Sequence, residues 1–435
     1  MMMSDEQKFR RAQWKFIFCS MIAYAFFYLT RKNLSMAQPG MLEEKVISTY
    51  ALGTIMTVHG VLYGMSRFVN GFWADRLNGR IFMTVGLALS AAMNFLFGCT
   101  SLALLFGAFW ILNGWTQGMG FPPCAKMLTH WIHPKELATK MSIWNTSHSF
   151  GAVMALGLCS LLLGPCGLGW RWCFWVPAGL AAMAAVFCFF CVKDSPAEAG
   201  VKDLVFGEQG ENSEHAENVS GAPRAAEKTV TTADRRRLVF GNRVIWLVAI
   251  ANFFVYIVRF GFLDWGPTFL KQLKHIPVAK GGLMIICFEL AAVVGTVFAG
   301  WVTDKVFKGR GVRTCVFCML FAGLFSFGFW YLPDGAPLWQ ATLLLMGAGF
   351  CIYGPQALIG IVAANQATKE AAAMANGFTG IMGYASTTVS GIGIAYIKEH
   401  FGWGPTLGAI AGFALVGMVL FLFAWNANAN GYGKK

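Results

Sequence analysis

Long apolar stretches alternate with short polar segments along the whole chain. Most are about 20 residues or longer, the length that an α-helix needs to cross the hydrocarbon core of a bilayer. We number them span 1 to span 12 in chain order: 15–35, 48–74, 81–99, 102–126, 138–163, 171–192, 243–270, 281–303, 314–332, 338–361, 371–397 and 403–425. The pattern predicts an all-α polytopic membrane protein with twelve transmembrane helices.

Composition points to the same class of protein. Of the 435 residues, 56% are hydrophobic and 13% are charged, whereas soluble domains carry about 25% charged residues. An ordinary water-soluble enzyme is therefore excluded. The sequence contains no phosphate-binding loop, zinc-protease, nucleophile-elbow or dinucleotide motif, and its spans hold no paired carboxylates for acid–base catalysis. We expect no enzymatic activity, no cofactor and no metal site.

The net charge of +13 is distributed unevenly along the chain. If residue 1 lies in the cytoplasm, most Lys and Arg residues precede span 1 or follow an even-numbered span. Positively charged residues concentrate in the cytoplasmic loops of membrane proteins. The charge therefore predicts a bacterial inner-membrane protein, in contact with lipid, with both termini in the cytoplasm. It leaves no basic and aromatic surface for nucleic acid.

A polar segment divides the twelve spans into two groups of six. Residues 193–242 are rich in charged and small residues and predict a cytoplasmic linker. We expect an N-terminal six-helix bundle over 1–192 and a C-terminal six-helix bundle over 243–435. Arg31 and Arg259 lie 228 residues apart, and similar motifs begin at Gly71 and Gly300, 229 residues apart. This duplication is typical of the pseudo-symmetric halves of the major facilitator fold.

The repeated motif follows span 2 and span 8, as GFWADR at 71–76 and GWVTDK at 300–305. In such a motif, glycine permits close helix packing, and the acidic and basic side chains can pair with the ends of neighbouring helices. We interpret the two copies as conformational loops and single out these residues: Gly71, Asp75, Arg76, Asp304 and Lys305.

Two arginines inside the spans indicate the chemistry of the site. A charged side chain in the bilayer costs about 2.5–3.5 kcal/mol on insertion scales. Arg31 and Arg259 each lie 16 residues after a basic residue at the start of their span, about 24 Å along the helix. Matching depth and the lack of a carboxylate in register predict a clamp for a divalent anion. Arginine binds phosphate with two parallel hydrogen bonds. The alternative is that each arginine reaches back to the membrane interface.

Other polar and aromatic residues are weaker candidates. His148 in span 5 could exchange a proton with phosphate, and Arg67 in span 2 adds a third positive charge. Four tyrosines share a helical face with these groups or lie opposite them, although aromatic residues at such spacing often serve only packing: Tyr24, Tyr28, Tyr256 and Tyr384. Three charged residues near the outer end could form gating ion pairs between the halves: Lys32, Asp264 and Glu289.

Cysteine use adds little to the site. The twelve cysteines lie mostly singly inside apolar spans, where cysteine behaves as a small hydrophobic residue. Cys166 and Cys173 flank a turn between spans 5 and 6, which leaves a disulfide between them open.

Four segments of the chain resemble one transporter family. They are YLTRKN at 28–33, QGMGFPPC at 117–124, SIWNTSHS at 142–149 and the stretch 252–274. They are similar to the organophosphate:inorganic phosphate antiporter family within the major facilitators. The resemblance implies that Arg31 and Arg259 bind phosphate and that His148 assists them. It also implies an aromatic lining from Tyr28, Tyr256 and Tyr384, and an outer salt-bridge group of Lys32, Asp264 and Glu289.

The resemblance implies exchange of a small organic phosphate ester for inorganic phosphate by a functional monomer. Glycerol 3-phosphate is the leading ester. Hexose 6-phosphate is the alternative, because Arg67, Ser149, Gln356 and the stretch 385–388 depart from the pattern of the glycerol-phosphate members. A membrane sensor of sugar phosphate within the same family and a proton-coupled sugar symporter are the other candidate functions.

Overall fold

A computed structural model of the chain describes residues 4–132, 134–202, 232–333, 335–367 and 371–428. Nine spans consist of one main helix each, with these bounds: Asp5–Glu43, Thr49–Arg76, Gly79–Cys99, Trp172–Cys191, Arg243–Lys274, Val278–Lys305, Gly311–Tyr331, Leu338–Gln366 and Trp403–Phe423. They form spans 1, 2, 3, 6, 7, 8, 9, 10 and 12. Among the described residues, nine helical segments are long and apolar enough to cross a membrane.

Spans 4, 5 and 11 are interrupted helices. Span 4 is Ala103–Gln117 followed by Phe121–Trp131, span 5 is Pro134–Asn145 followed by Ser147–Leu163, and span 11 is Ala372–Ala385, a π-helical turn at Val389–Gly393, and Ile394–Phe401. The described part also contains a short 3₁₀ turn at Ala197–Ala199 and a helix at Thr232–Phe240. The linker residues 203–231 lie outside the described residues.

Proline acts differently in spans 4 and 10, although a proline inside an apolar span predicts a kink that lets the helix bend in both cases. Pro122 and Pro123 stand in the first turn of a new helix after the turn at 118–120, where the missing backbone N–H costs nothing. Span 4 is therefore broken rather than bent. Pro355, by contrast, lies inside the helix Leu338–Gln366, which continues through it.

Polar caps start the helices that carry the site. Ser4 and Gln7 form a capping box at the start of span 1. Ser48 accepts a hydrogen bond from the amide of Ala51 at the start of span 2. Asn242 accepts one from the amide of Val244 at the start of span 7. These side chains satisfy amides that have no partner within the helix.

The first six spans pack with one another, the last six do the same, and the two groups meet along a seam. Span 1 faces span 7 across the seam, span 2 faces span 11, and span 5 faces span 8. We call the side where span 6 ends and span 7 begins the linker side, and the opposite side the far side. The prediction of an all-α fold with two halves around one interface fits this arrangement.

The far side of the seam is closed by direct contact. A Cβ atom on Gly53 of span 2 would lie 2.7 Å from the carbonyl oxygen of Gly391 in span 11, so the two backbones touch. The hydroxyl of Thr57 donates to the carbonyl of Thr387 (3.0 Å) and accepts from the amide of Ile392 (3.0 Å). These bonds satisfy backbone groups at the π turn, whose hydrogen-bond pattern departs from that of an α-helix.

Longer side chains reinforce this closure. The hydroxyl of Thr268 donates to Gln38 across the seam at 3.1 Å, and Lys398 donates to Thr49 at 2.9 Å. Lys271 pairs with Glu43 at the far-side rim. On the linker side, the described residues form no hydrogen bond or ion pair across the seam beyond the level of Arg67. The described residues thus close the seam on the far side.

The two repeated motifs differ from their predicted form. Residues 71–76 and 300–305 are the last turns of the helices of spans 2 and 8 rather than loops. A Cβ atom on Gly71 or Gly300 would meet nothing within 4 Å, so neither glycine serves close packing, because both face outward. Asp304 and Lys305 are exposed and have no described partner, whereas the Arg76 guanidinium lies 3.8 Å from the Phe72 ring centre. The side chain of Asp75 is outside the described part.

The two cysteines that could have formed a disulfide are both free thiols. Cys166 is exposed, and Cys173 is buried in the first turn of span 6. Within the described residues, no group of three or more His, Cys, Asp or Glu side chains could hold a metal ion.

Candidate functional site

A buried polar network fixes the helix that carries Arg31. The hydroxyl groups of Thr30 in span 1 and Ser90 in span 3 lie 2.9 Å apart, and Ser90 donates to Asn113 of span 4 at 2.6 Å. Gln117 donates to both hydroxyls. Because Thr30 precedes Arg31 and points into the first half, this network turns Arg31 toward the seam.

Two tyrosines hold the Arg31 guanidinium. Its central carbon lies 4.5 Å from the ring centre of Tyr28 and 4.5 Å from that of Tyr63 in span 2. Cation–π contacts of this kind stabilise a buried cation without neutralising it. In the described part of the chain, Arg31 forms no ion pair with a carboxylate.

Arg67 lies on the same side of the site, one turn along span 2 from Tyr63. Its guanidinium donates to the hydroxyl of Tyr384 at 2.9 Å and lies 4.4 Å from the ring centre of Phe121. Tyr384 belongs to span 11, so this hydrogen bond crosses the seam. Tyr384 also packs against Tyr63 and Tyr256, with ring centres 5.4 and 6.0 Å away.

Arg259 is the corresponding residue of the second half, and it is buried, with 7% of its surface exposed. Its guanidinium lies 4.7 Å from the ring centre of Tyr353 in span 10 and 5.8 Å from that of Tyr256. The Nε atom is buried and has no hydrogen-bond partner in the described part of the chain. A buried donor without a partner is costly, and an anion would satisfy it.

His148 lies beside the arginines. Its ring centre is 5.7 Å from that of Tyr28, the ring that the Arg31 guanidinium contacts, and it is near enough to Arg259 to feel its charge. Its Nδ1 bonds to the backbone oxygen of Asn145, and its Nε2 lies 3.3 Å from the Ser149 hydroxyl. The structure thus brings Arg31, Arg259, His148 and Tyr28 together across the seam.

Tyr24 lies at the edge of this group. Its ring packs against Trp144 and Tyr28, with centres 4.8 and 5.7 Å away. It has no direct cation contact of the kind that Tyr28 makes. Its position is that of a buried packing residue beside the site.

The three charged residues predicted to form one gating group separate into two sites. Lys32 and Asp264 form an ion pair across the seam, with 2.7 Å between Nζ and Oδ1. Glu289 does not join this pair. It is 2% exposed, and it accepts a hydrogen bond of 2.7 Å from the hydroxyl of Tyr353. Because span 8 places Glu289 behind Tyr353, this carboxylate belongs to the surroundings of Arg259.

Tyr63 and Tyr353 are the site residues that sequence reasoning missed. Each contacts one of the two arginines as closely as any predicted aromatic residue does. The available signals were the position of Tyr63 four residues before Arg67 and the position of Tyr353 directly before Gly354 and Pro355.

The arrangement can bind an anion of two negative charges between the halves. Two guanidinium groups supply hydrogen-bond donors that have no carboxylate partner among the described residues, and tyrosine rings pack around them. Because each arginine belongs to a different half, an anion bound by both would connect the halves.

Comparison with known proteins places this chain in a family. Residues 20–391 match the model of the Major Facilitator Superfamily. The chain is 34% identical to the probable hexose phosphate transport protein of Chlamydia pneumoniae, with 97% of this chain and 94% of the relative covered. It is 34% identical to the glycerol-3-phosphate transporter of Bacillus subtilis, with 93% of this chain and 90% of the relative covered.

A solved structure shares the fold. It is an inward-facing, unoccupied structure of a bacterial homologue of the human lysosomal transporter Spinster, with a TM-score of 0.79 and 13% sequence identity. The alignment covers 95% of this chain and 97% of the other. At this identity, the match concerns the fold alone.

The fold and the site define an integral membrane protein of the major facilitator class, whose relatives are transporters and not enzymes. Within that class, the chain belongs to the organophosphate:inorganic phosphate antiporter family. The predicted fold class and the family resemblance are thereby confirmed.

Proposed function

We propose that this chain exchanges a small organic phosphate ester for inorganic phosphate by alternating access. Glycerol 3-phosphate is the leading ester and hexose 6-phosphate the alternative, in keeping with the two relatives, a glycerol-3-phosphate transporter and a probable hexose phosphate transport protein. The observation that carries the proposal is the meeting of Arg31 and Arg259, one from each half, around His148 and Tyr28. Neither arginine has a carboxylate ion pair among the described residues.

In this mechanism, the phosphate group binds both arginines and the imidazole of His148. Phosphate esters carry a charge of about −1.5 to −2 near neutral pH, which balances two guanidinium groups. Binding draws the two six-helix bundles, 1–192 and 243–435, toward each other, and the segment 193–242 connects them. The closed far side then opens as the linker side closes. Without a bound anion, the two positively charged guanidinium groups repel each other, which opposes the change from one open state to the other.

The charge distribution supports the orientation of the chain. Basic residues flank the linker side, and the positive-inside rule assigns that side to the cytoplasm. We therefore place both termini in the cytoplasm and the protein in a bacterial inner membrane. The state seen here is then closed toward the outside. One chain supplies both arginines, so a monomer suffices for binding.

A counterflow experiment tests the proposal. The purified protein is placed in vesicles loaded with phosphate, and labelled glycerol 3-phosphate, glucose 6-phosphate or phosphoenolpyruvate is offered outside. We expect uptake of one ester that depends on internal phosphate and persists in the presence of an uncoupler. Uptake that ignores internal phosphate and collapses with the uncoupler would indicate a proton-coupled symporter. Binding of an ester without any uptake would indicate a sensor. Either result would contradict the proposal.

A further inference from the structure

A polar cavity lies between Arg31 and the closed far side of the seam. It has a volume of about 70 Å³. Its lining includes Arg31, Tyr63 and Tyr384, which belong to the proposed phosphate site. It also includes the Lys32–Asp264 ion pair and four uncharged polar side chains that the proposed phosphate site does not use: Ser35, Gln38, His59 and Thr387.

His59 presents a hydrogen-bond acceptor to this cavity. The side chain is 9% exposed, its ring stacks on Trp110 at 5.1 Å, and Nδ1 lies 2.8 Å from the Trp110 backbone oxygen. A carbonyl oxygen only accepts hydrogen bonds, so Nδ1 carries the proton, and Nε2 of the neutral ring is an acceptor. Nε2 has no hydrogen-bond partner among the described residues. The ring is thus held in place with one polar atom unused.

Gln38 presents a donor to the same cavity. Its Oε1 accepts from the Thr268 hydroxyl at 3.1 Å, which fixes the orientation of the amide. Its Nε2 has only the Met56 sulfur, at 3.3 Å, as partner, and a thioether is a weak acceptor. The hydroxyls of Ser35 and Thr387 donate to backbone carbonyls of their own helices. Beside the Lys32–Asp264 ion pair, whose charged groups bond to each other, His59 therefore offers a strong acceptor and Gln38 a strong donor.

An organic hydroxyl group complements this pair, since it donates and accepts at once. We propose that the cavity binds the hydroxyl-bearing organic part of the ester, and that His59 and Gln38 determine specificity for it. This inference rests on the proposed function, which places the phosphate group at Arg31 and Arg259. A site built to bond a hydroxyl rejects an analogue that lacks it, because its own buried polar groups then stay unpaired.

The test compares two esters that differ only in their hydroxyl groups. Full-length protein in vesicles exchanges labelled phosphate, and glycerol 3-phosphate or n-propyl phosphate competes. The unmodified protein should prefer glycerol 3-phosphate. In His59→Leu, this preference should fall about fivefold, the effect of one lost hydrogen bond. Exchange of phosphate for phosphate should stay unchanged, because inorganic phosphate has no organic part.

Two further variants complete the design. Gln38→Met removes the donor at similar volume, but it also removes the acceptor of Thr268 at the far-side closure. Its preference is therefore measured as the ratio of ester exchange to phosphate exchange, and this ratio should fall in the same way. His400→Leu is the matched control, because this imidazole is exposed and stacks on Tyr396 outside the cavity; it should keep the full preference. Unchanged preference in both His59→Leu and Gln38→Met would overturn the proposal and indicate a cavity that holds only water. An equal loss of phosphate and ester exchange would also overturn it.

A binding measurement separates this inference from the proposed function. Thermal stabilisation of the purified protein by each ester needs no transport. Suppose that the unmodified protein transports nothing but is stabilised more by glycerol 3-phosphate than by n-propyl phosphate. If His59→Leu removes that difference, the proposed exchange is wrong and the hydroxyl subsite is supported. If the two esters stabilise the unmodified protein equally, the subsite fails.

Discussion

Arg31 and Arg259 occupy corresponding positions of the two halves, yet their surroundings differ. Arg31 lies between two tyrosine rings and is backed by an uncharged network of hydroxyl and amide groups. Arg259 contacts Tyr353, whose hydroxyl is bonded to the buried carboxylate of Glu289. The two halves thus share the cation and the tyrosine three residues before it, but they differ in the groups that lie behind the rings. Among the described residues, Asp264, which lines a cavity with Arg31, is paired with Lys32, whereas Glu289 forms no ion pair and could replace the anion at Arg259 when it leaves.

The largest expected effect comes from changing the cation itself. Arg259→Lys and Arg31→Lys should each lower phosphate exchange by about a hundredfold or more, because an ammonium group cannot form the paired hydrogen bonds of guanidinium. Initial rates in vesicles measure the loss. Insertion and a single symmetric peak in size-exclusion chromatography serve as controls. Normal exchange in Arg259→Lys would refute the clamp.

The ion pair across the seam should matter next. Lys32→Met removes the cation of the Lys32–Asp264 pair and leaves the carboxylate without its partner, which should destabilise the closed far side by about 1–3 kcal/mol. Hydrogen exchange of residues 264–274 should accelerate, and transport should fall about tenfold. Lys271→Met, at the more exposed rim, is the control and should change little. Equal protection in Lys32→Met and the unmodified protein would argue against a gating role.

Two substitutions around Arg259 should shift phosphate affinity in opposite directions. Glu289→Gln removes the charge that competes with phosphate, so the half-saturation concentration should fall about threefold. Tyr353→Phe removes the hydroxyl that binds Glu289, which frees the carboxylate to pair with Arg259. The half-saturation concentration should then rise about fivefold. Concentration series of phosphate exchange measure both. A shift in the same direction for both variants would show that Glu289 does not compete with the anion.

The smallest effect concerns His148, which faces both arginines. A phosphate ester takes up its second proton near pH 6, and an imidazole beside it can exchange a proton or a hydrogen bond with it. His148→Gln should therefore change the pH dependence of affinity by about two- to threefold between about pH 5.5 and 8, with a smaller effect on the maximal rate. His130→Gln is a control outside the site. A profile that matches the unmodified protein would remove the proposed proton role.

The charged residues of the candidate site could be predicted from the sequence, because a charged side chain is unusual inside an apolar span. Arg31 and Arg259 stand out because few charged residues lie inside apolar spans, and their equal spacing from the span starts gave their common depth. Tyr63 and Tyr353 could not be found in this way, because an aromatic residue in an apolar span looks the same whether it packs or lines a site. Their roles depend on which helices meet at the seam.

Local backbone features were also only partly predictable. Pro122 and Pro123 indicated a disturbance in span 4, but whether the helix bends or breaks depends on the turn that precedes them. Gly71 and Gly300 were expected at close contacts, yet both face outward. Gly53 and Gly391, which do touch across the seam, carry no distinguishing sequence signal. The sequence alone does not distinguish a glycine at a close helix contact from one that faces outward.

The π turn at Val389–Gly393 gives span 11 one spare residue between Tyr384 and the far-side rim. If this π turn converts to regular α-helix, the part of span 11 on one side of it rotates by one residue, about 100°, while the rest of the helix keeps its hydrogen bonds. Thr57, which belongs to the other half, stabilises the π turn by two hydrogen bonds to its backbone. Separation of the two halves would break these two hydrogen bonds. The rotation of span 11 about its own axis would therefore depend on its contact with span 2.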